Sequence, residues 1–252
     1  VDSDRHVFSV TPDGSIEIAL ADPPGLPSLG RTTALAVGPS DELFVAAQQP
    51  TFFYRVDPLG SVSSFLDPAL LGEPATDLAV GSDGVLYASG ARAIARRETD
   101  GAAALIAGPG LGDFTFLGDG NLYAADQLRI RRRTPAGDWS LLFEVGGMGP
   151  SYYFASALET DASNRVYALS NVGRTLLRID PDGQWTELLP YTGDGEFAFG
   201  GGWGLAVAPD GTAFVADYVS STLFQIDPDG TITRLLDPLP APPRPGKIAW
   251  RA

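Results

Sequence analysis

The sequence lacks several residue types on which protein chemistry often depends. It contains no cysteine, one histidine (His6), one lysine (Lys247) and one methionine. Without cysteine the chain can form neither disulfides nor thiolate metal sites. A single histidine excludes a zinc site built from several histidines, and it leaves His6 as the sole candidate base of a serine–histidine–aspartate triad.

Long hydrophobic runs are also absent. No apolar stretch approaches the roughly 20 residues that a membrane-spanning helix needs, and no signal peptide is recognisable at the start. We therefore predict no membrane insertion. The pattern fits a mature exported protein as well as a cytosolic one, and we predict a secreted or periplasmic location.

Positive charge is scarce relative to negative charge, and the net charge is therefore −14 at pH 7. Such a chain repels phosphate backbones, so we predict no nucleic-acid partner. One local exception exists, and it consists of Arg92, Arg96, Arg97, Arg129, Arg131, Arg132 and Arg133. This cluster is explained either as an anion-binding or docking patch, or as a solvated sheet edge whose charges discourage edge pairing.

What the sequence does contain is a repeat. Its clearest copy covers residues 204–236, and weaker copies cover residues 34–66, 77–106, 113–142 and 157–189. Each copy reads as four short strands separated by turn residues. Sheets built from such apolar strands must bury both faces, and radial packing of one sheet against the next buries them.

Turn residues define the phase of the repeat. The first turn passes through Asp41, Gly84, Gly120, Ser163 and Gly211. The last turn passes through Gly14, Gly60, Gly101, Gly137, Gly183 and Gly230. Glycine accepts positive φ, and the Pro-Asp-Gly triplets set each hairpin locally.

The last turn occurs once more than the first, so we predict a sixth copy that is split between the two ends. Residues 7–10 and 15–20 are its last two strands, and residues 247–252 supply its innermost strand. The expected fold is one all-β domain over residues 1–252, closed into a ring of six sheets by the two termini. The split copy has no second strand, so either it has three strands or a segment has been trimmed.

The cadence GLAVAPDGTAFVAD followed by IDPDGT, at residues 204–231, resembles the NHL-repeat and gluconolactonase/regucalcin-like (SMP-30-like) six-bladed β-propellers. The superfamily also includes strictosidine synthase-like enzymes. The resemblance implies a ring of blades around a central channel. It does not select an activity, because such rings host lactonases, lyases, synthases and binding modules.

The resemblance also implies where a metal would lie. Gluconolactonase-like members hold a divalent cation over the channel with carboxylates and asparagines placed just before the innermost strands. The corresponding positions here are Thr33, Thr76, Gly112, Ala155, Trp203 and Gly246. Calcium takes about six to eight oxygen ligands, so we predict no metal and no cofactor, with calcium as the one ion that the resemblance leaves open.

Acidic side chains near the channel are the candidates for catalysis. Second strands end at Ala47, Gly90, Asp126, Leu169 and Asp217, of which Asp126 and Asp217 are acidic. Glu73 lies in a Gly-Glu-Pro segment similar to the glutamate motif of the family. These three side chains either act as acid or base, or, for the aspartates, accept hydrogen bonds from loop amides.

Two Gly-rich, aromatic loops interrupt the repeats, at residues 144–155 and 190–203, and both lead into an innermost strand on one face. With neighbouring loops they supply the predicted ligand-binding residues Arg31, Phe52, Tyr152, Tyr153, Phe154, Phe197, Phe199, Trp203 and Tyr218. These side chains either bind a ligand at the channel mouth or only plug the channel.

Three functions fit these features. The first is a binding propeller that recognises a small molecule, glycan or peptide, or a protein partner, through its aromatic mouth. The second is a lactonase, hydrolase or strictosidine synthase-like enzyme, in which Arg31 stabilises negative charge. The third is a structural repeat domain whose unfinished blade accepts a strand from a partner.

Overall fold

Short antiparallel strands make up nearly all of the regular structure. A computed structural model describes residues 6–10, 16–48, 51–81, 83–90, 93–106, 114–116, 120–126, 129–144, 157–170, 175–189, 202–217 and 222–236. These residues form 22 strands and one short helix. None of their helices has the length and hydrophobicity to span a bilayer.

The strands follow the chain in groups of four, after an initial pair. The N-terminal hairpin contains β1 (Val7–Val10) and β2 (Ile16–Leu20). Blade 1 contains β3 (Arg31–Val37), β4 (Leu43–Gln48), β5 (Phe52–Val56) and β6 (Val62–Ser64). Helix α1 (Pro68–Leu71) precedes blade 2, which contains β7 (Asp77–Val80), β8 (Leu86–Ser89), β9 (Ile94–Arg97) and β10 (Ala103–Ile106).

The next three groups have the same plan. Blade 3 contains β11 (Phe114–Phe116), β12 (Leu122–Asp126), β13 (Arg129–Arg133) and β14 (Trp139–Glu144). Blade 4 contains β15 (Ala157–Thr160), β16 (Val166–Ser170), β17 (Thr175–Ile179) and β18 (Trp185–Leu189). Blade 5 contains β19 (Gly202–Val207), β20 (Ala213–Asp217), β21 (Thr222–Ile226) and β22 (Ile232–Leu236). In all five blades each strand pairs with the strands next to it in the chain.

Apolar side chains join each blade to the next. One cluster combines Phe44 of blade 1 with Leu86 of blade 2, and another combines Tyr87 of blade 2 with Leu122 of blade 3. Similar clusters join blade 3 to blade 4 and blade 4 to blade 5. The innermost strands β3, β7, β11, β15 and β19 contact one another in that order. The blades therefore pack radially, as predicted, and side chains that alternate along a strand face opposite neighbours.

The predicted turn chemistry is confirmed in the described hairpins. Gly60, Gly101, Gly137, Gly183 and Gly230 have φ between 85° and 103°. In the last of these turns, Gly230 N donates to Asp227 O at 2.8 Å, and Thr231 N donates to the Asp229 carboxylate at 2.9 Å. Positive φ explains why glycine recurs at this position. Gly14 lies outside the described residues.

The number of full blades differs from the prediction. The described residues form five four-stranded blades and one two-stranded sheet, not six blades. The predicted innermost strand of the sixth blade, in residues 247–252, lies outside the described residues. The single-domain assignment of residues 1–252 stays a prediction.

The N-terminal hairpin nevertheless has the geometry of the outer half of a blade. Its ladder slips by one residue between Val7 and Phe8. The same slip occurs after Ile130, Leu176 and Leu223 in the outer pairs of blades 3, 4 and 5. All four residues lie seven positions before the turn glycine of their hairpin. The hairpin also packs on blade 1, since Val7 and Leu20 share a cluster with Val45 and Tyr54.

Helix α1 was not predicted. Asp67 caps it, accepting a hydrogen bond from Ala69 N at 2.9 Å, and Pro68 occupies its first turn. Gly72 ends the helix at φ 68°, and its N–H donates to Pro68 O. Asp, Pro and Gly at these places are standard start and stop signals. The helix leads directly to Glu73.

Candidate functional site at the mouth face

One face of the blades carries the predicted site. On this face the first strands begin, the second strands end and the third strands begin, and we call it the mouth face. Arg31, the first residue of β3, pairs there with Gln48, the last residue of β4. Asp217, the last residue of β20, pairs with Thr222, the first residue of β21.

Buried polar side chains concentrate on the mouth face. Among the described residues, the buried polar and charged side chains are Asp77, Ser89, Asp161, Ser170, Thr175, Asp217 and Thr222. All except Asp161 lie at strand ends of the mouth face. Burial of polar groups has a free-energy cost unless they are hydrogen-bonded. Thr175 is bonded to Glu187, and the other mouth-face side chains also have partners within the chain. Their concentration makes this face the polar end of the blades.

Asp217 is the predicted site residue with the clearest placement. Its side chain is 0% exposed. Ala213 and Val215 alternate with it along β20 and belong to the cluster that joins blades 4 and 5. Asp217 therefore points toward blade 4, at the mouth end of the boundary between the two blades.

Blade 4 supplies the residue that sequence reasoning missed. Asn164, not Ser163, has the positive φ of the first turn, at 62°. Asparagine tolerates this conformation because its short amide bonds to the local backbone. The position equivalent to Asp217 is therefore Ser170, and the prediction of Leu169 was wrong by one residue. Leu169 is fully buried in the cluster between blades 4 and 5.

Ser170 and its ladder partner Thr175 are both fully buried. Thr175 Oγ1 donates to Glu187 Oε1 at 2.8 Å, which links the third strand to the outermost strand. Blades 4 and 5 thus each end the second and third strands with a buried polar pair. The mouth face therefore carries two polar ladder pairs on adjacent blades, Ser170 with Thr175 and Asp217 with Thr222.

In blade 2 the predicted glutamate takes the place of a strand-end side chain. Gly90 is the position equivalent to Asp217, and a Cβ built there would lie 2.5 Å from Glu73 Oε1. The missing side chain of Gly90 therefore makes room for the Glu73 carboxylate. Beside it, Thr76 Oγ1 lies 3.0 Å from Ser89 Oγ, and Thr76 N donates to Ser89 O at 2.7 Å.

Blade 1 carries Arg31 and Phe52. Arg31 is exposed, so its guanidinium is accessible to an anionic group. Phe52 is half-buried and packs on the cluster between the hairpin and blade 1, with its ring 4.8 Å from that of Tyr54. Thr32 Oγ1 is buried and has no hydrogen-bond partner within the described part of the chain.

Bulges occur at the start of two innermost strands. The ladder slips between Thr32 and Ala34 in blade 1 and between Gly202 and Gly204 in blade 5. The extra residues are Thr33 and Trp203, which occupy positions predicted from the propeller resemblance. Bulges redirect side chains and are frequent beside functional sites.

Most of the predicted aromatic residues cannot be placed. Tyr152, Tyr153, Phe154, Phe197, Phe199 and Tyr218 lie outside the described residues. The structure gives the backbone of Asp126 and Trp203, at the end of β12 and in β19, but not their side chains. The aromatic mouth therefore stays a prediction.

No group of three or more His, Cys, Asp or Glu side chains in the described ranges could hold a metal ion. Glu73 and Asp217 are thus not part of such a group. The predicted absence of a metal and of a cofactor is not tested by this observation.

Comparison with solved structures identifies the architecture. A streptogramin B lyase matches with a TM-score of 0.69 at 18% identity, over 86% of this chain and 72% of the other. A gluconolactonase from Xanthomonas campestris matches with a TM-score of 0.65 at 16% identity, over 85% and 76%. A chain of a nidogen–laminin complex matches with a TM-score of 0.73 at 12% identity, over 92% and 90%.

The protein has a β-propeller fold. No protein-family model matches the chain. No curated protein matches it either. The three structures named above include a lyase, a lactonase and a protein complex, so the shared fold leaves the choice between catalysis and binding to the site.

Proposed function

We propose that the protein is a binding propeller whose mouth face holds a small polyhydroxylated molecule, such as a sugar acid. The observation that carries this proposal is the concentration of buried hydroxyl and carboxylate groups at the mouth-face strand ends. Hydroxyl groups donate and accept, and carboxylates accept, so together they match a ligand rich in hydroxyls. The proposal includes the predicted aromatic loops at residues 144–155 and 190–203 as its cover.

Three positions on the mouth face give the proposed site its direction. Asp217 and Ser170 lie at equivalent places on adjacent blades, and each side chain points toward the preceding blade. Arg31 is exposed on blade 1 of the same face, where a carboxylate of the ligand can pair with its guanidinium. The ligand then extends from the polar ladder pairs on blades 4 and 5 toward the Arg31 guanidinium.

Binding of gluconate tests the proposal. We expect calorimetry to show that Asp217→Asn weakens binding by about ten-fold or more, because an amide replaces one of the two oxygen acceptors of the side chain. Trp203→Ala should also weaken binding with little change in the melting temperature, if the loop cover is correct. Asp210→Asn is the matched control, since Asp210 is an exposed aspartate at the opposite end of β20.

The proposal fails if wild-type protein binds no gluconate or related sugar acid, or if Asp210→Asn weakens binding as much as Asp217→Asn. Circular dichroism of each variant separates lost binding from lost folding. A related peptide or glycan that binds with the same dependence on Asp217 would keep the site and change the ligand.

The second candidate is hydrolysis of a lactone at the same place, and the buried Asp217 carboxylate favours it. The likeness to gluconolactonase structures supports it at the level of the fold. Asp217 would accept a proton from a water whose oxygen attacks the lactone carbonyl, and Arg31 would stabilise the oxyanion. The ring C–O bond then breaks, and the ring oxygen takes a proton to give the hydroxy acid.

A pH-stat assay with glucono-1,5-lactone separates the two candidates. Acid release that disappears in Asp217→Asn and persists in Asp210→Asn supports the enzyme. Gluconate binding without acid release above the uncatalysed rate supports the binding protein. Repeating the assay with calcium and with a chelator tests the one metal that the resemblance left open.

We further propose that the ring closes by pairing of residues 247–252 with β1. The shared bulge of the hairpin and the outer strands of blades 3, 4 and 5 supports this closure, because β1 then corresponds to a third strand. Every third strand of the five full blades has a neighbour on its inner side. Export to the periplasm or the exterior also stays part of the proposal.

A further inference from the structure

The basic residues of this acidic chain are unevenly distributed. Residues 92–133 contain seven of the 17 basic residues but only five of the 31 acidic ones. The stretch covers parts of blades 2 and 3, which are neighbours. The stretch is therefore a local positive region on a chain of net charge −14.

The ladder register shows which of these arginines share one surface. On β9, Arg96 lies two residues after Ile94, which belongs to the cluster between blades 2 and 3. On β13, Arg133 pairs with Trp139, which packs against the same cluster. Side chains alternate along strands, so Arg96 and Arg133 enter the same crevice from opposite sides.

Arg131 completes the set, since it lies two residues before Arg133 on the same face of β13. Its ladder partner is Leu141, whose side chain is 53% exposed. The outer rim of the crevice is therefore lined by three arginines, the half-buried Trp139 and the exposed Leu141. We call this surface the arginine crevice.

One ion pair of the arginine crevice is seen among the described residues. Arg96 forms an ion pair with Glu98 at 2.6 Å, and its Nε donates to Tyr87 OH at 3.0 Å. This pair is well exposed, with side-chain exposures of 40% and 38%, so its net energy is small. The exposed Asp138 lies in the turn next to Arg133.

Equivalent positions in other blades show that the arginines are not all required by the fold. Arg96 corresponds to Arg55, Arg132 and Arg178, each paired in the ladder with an aromatic residue. That arginine recurs and packs between blades. Arg131 and Arg133 are additional, since the equivalent positions in blade 4 are Leu177 and Ile179.

We propose that the arginine crevice between blades 2 and 3 is a docking surface for an acidic segment of a partner protein. Arginine pairs with carboxylates through two hydrogen bonds, and Trp and Leu supply apolar contact of the kind found at the centre of protein interfaces. The apolar side chains between the arginines match a peptide better than a phosphate backbone.

A fluorescein-labelled deca-glutamate peptide is the probe, and fluorescence anisotropy is the measurement. We expect wild-type protein to bind it at low ionic strength and the double variant Arg131→Gln/Arg133→Gln to bind it about ten-fold more weakly, because two charged contacts are lost. A second probe has two of its glutamates replaced by leucine, and Leu141→Ser should weaken its binding. Because Leu141 is exposed, this substitution should change folding little.

The matched control is Arg55→Gln/Arg178→Gln, which removes the same charge from blades 1 and 4. Both double variants are checked for folding by circular dichroism. The proposal is overturned if wild-type protein does not bind the peptide, or if the control variant loses as much affinity as the test variant. Tighter binding of a single-stranded oligonucleotide of equal charge than of the peptide also overturns it.

Discussion

Asp161 joins four donors within blade 4. Its carboxylate accepts hydrogen bonds from Ser163 N at 2.9 Å and Arg165 N at 3.0 Å, and also from Arg165 Nε and Tyr167 OH. Burial, and then the nearby Asp161 carboxylate, raise the pKa of Tyr167 to about 12. The Tyr167 hydroxyl therefore stays protonated and continues to donate throughout the neutral pH range.

We expect Asp161→Ala to lower the free energy of unfolding by about 3 kcal/mol, because buried donors and the Arg165 guanidinium lose their acceptor. Urea denaturation followed by circular dichroism measures the change. Asp229→Ala is the control: this exposed aspartate accepts one backbone hydrogen bond, from Thr231 N. Equal losses in the two variants would show that the Asp161 network contributes nothing beyond a turn.

The outcome at Asn164 shows how far single residues can be placed from sequence. Turn glycines were located correctly at Gly84, Gly120 and Gly211, because glycine identifies a positive φ by itself. In blade 4 the turn has no glycine, and the predicted turn residue, Ser163, is one position before the observed Asn164. The predicted strand end is therefore Leu169 instead of Ser170, and neighbouring residues on a strand face opposite sides.

Turns on the face opposite the mouth connect blade 5 to blade 4. Ala162 N donates to Pro209 O at 3.2 Å, from one first turn to the next. A Cβ built on Gly211 would lie 2.6 Å from the Arg165 guanidinium and 2.7 Å from Tyr167 OH. The close approach means that Gly211 is needed both for its backbone conformation and for the space that it leaves.

Comparison of two glycines separates these requirements. Gly211 and Gly230 have φ of 95° and 88°, and a Cβ on Gly230 would meet nothing within 4 Å. We expect Gly230→Ala to cost about 1–2 kcal/mol through backbone strain alone. Gly211→Ala should cost about 1–3 kcal/mol more, through overpacking against blade 4.

Thermal and urea unfolding of both variants measure the difference. If the two substitutions lower the free energy of unfolding equally, the contact of the Gly211 turn with Arg165 and Tyr167 does not contribute to stability. Gly25→Ala offers a further reference, because Gly25 also has positive φ and open space but lies outside the blades.

Strands and hairpins were predicted well, and bulges and the helix were not. Turn signals recur in phase, so the bounds of the five four-stranded copies follow from sequence spacing to within a few residues. The slip after Ile130, by contrast, depends on how the outer strand bends over its neighbour. Helix α1 spans four residues, too few to show a helical hydrophobic period.

The ring as a whole was predicted from repetition, since each copy can bury its apolar faces only against another copy. Repetition also identified Asp217, and the family resemblance identified Glu73; the structure places both on the mouth face. It did not predict that a glycine in blade 2 makes room for Glu73, because this depends on how the segment after α1 folds back. Sequence spacing predicts where a residue lies along a strand, but it does not predict which loops approach each other.

Closure of the ring is the prediction on which the mouth depends. The hairpin packs on one side of blade 1, and the innermost strands of blades 1 to 5 follow one another around an arc. If residues 247–252 complete the sixth blade, then removing them exposes the inner edge of β1. Backbone amides that lose their strand neighbour exchange faster with solvent.

Hydrogen–deuterium exchange measured by mass spectrometry on the full chain and on a variant lacking residues 247–252 tests this closure. We expect exchange in β1 to rise by about ten-fold or more in the shortened chain, with a lower melting temperature. Strand β22 is the internal control, because it precedes the deleted segment but pairs with β21. Unchanged protection of β1 would mean that its inner edge pairs with something other than the C-terminal segment, and the arc of five blades would then be the unit that forms the mouth.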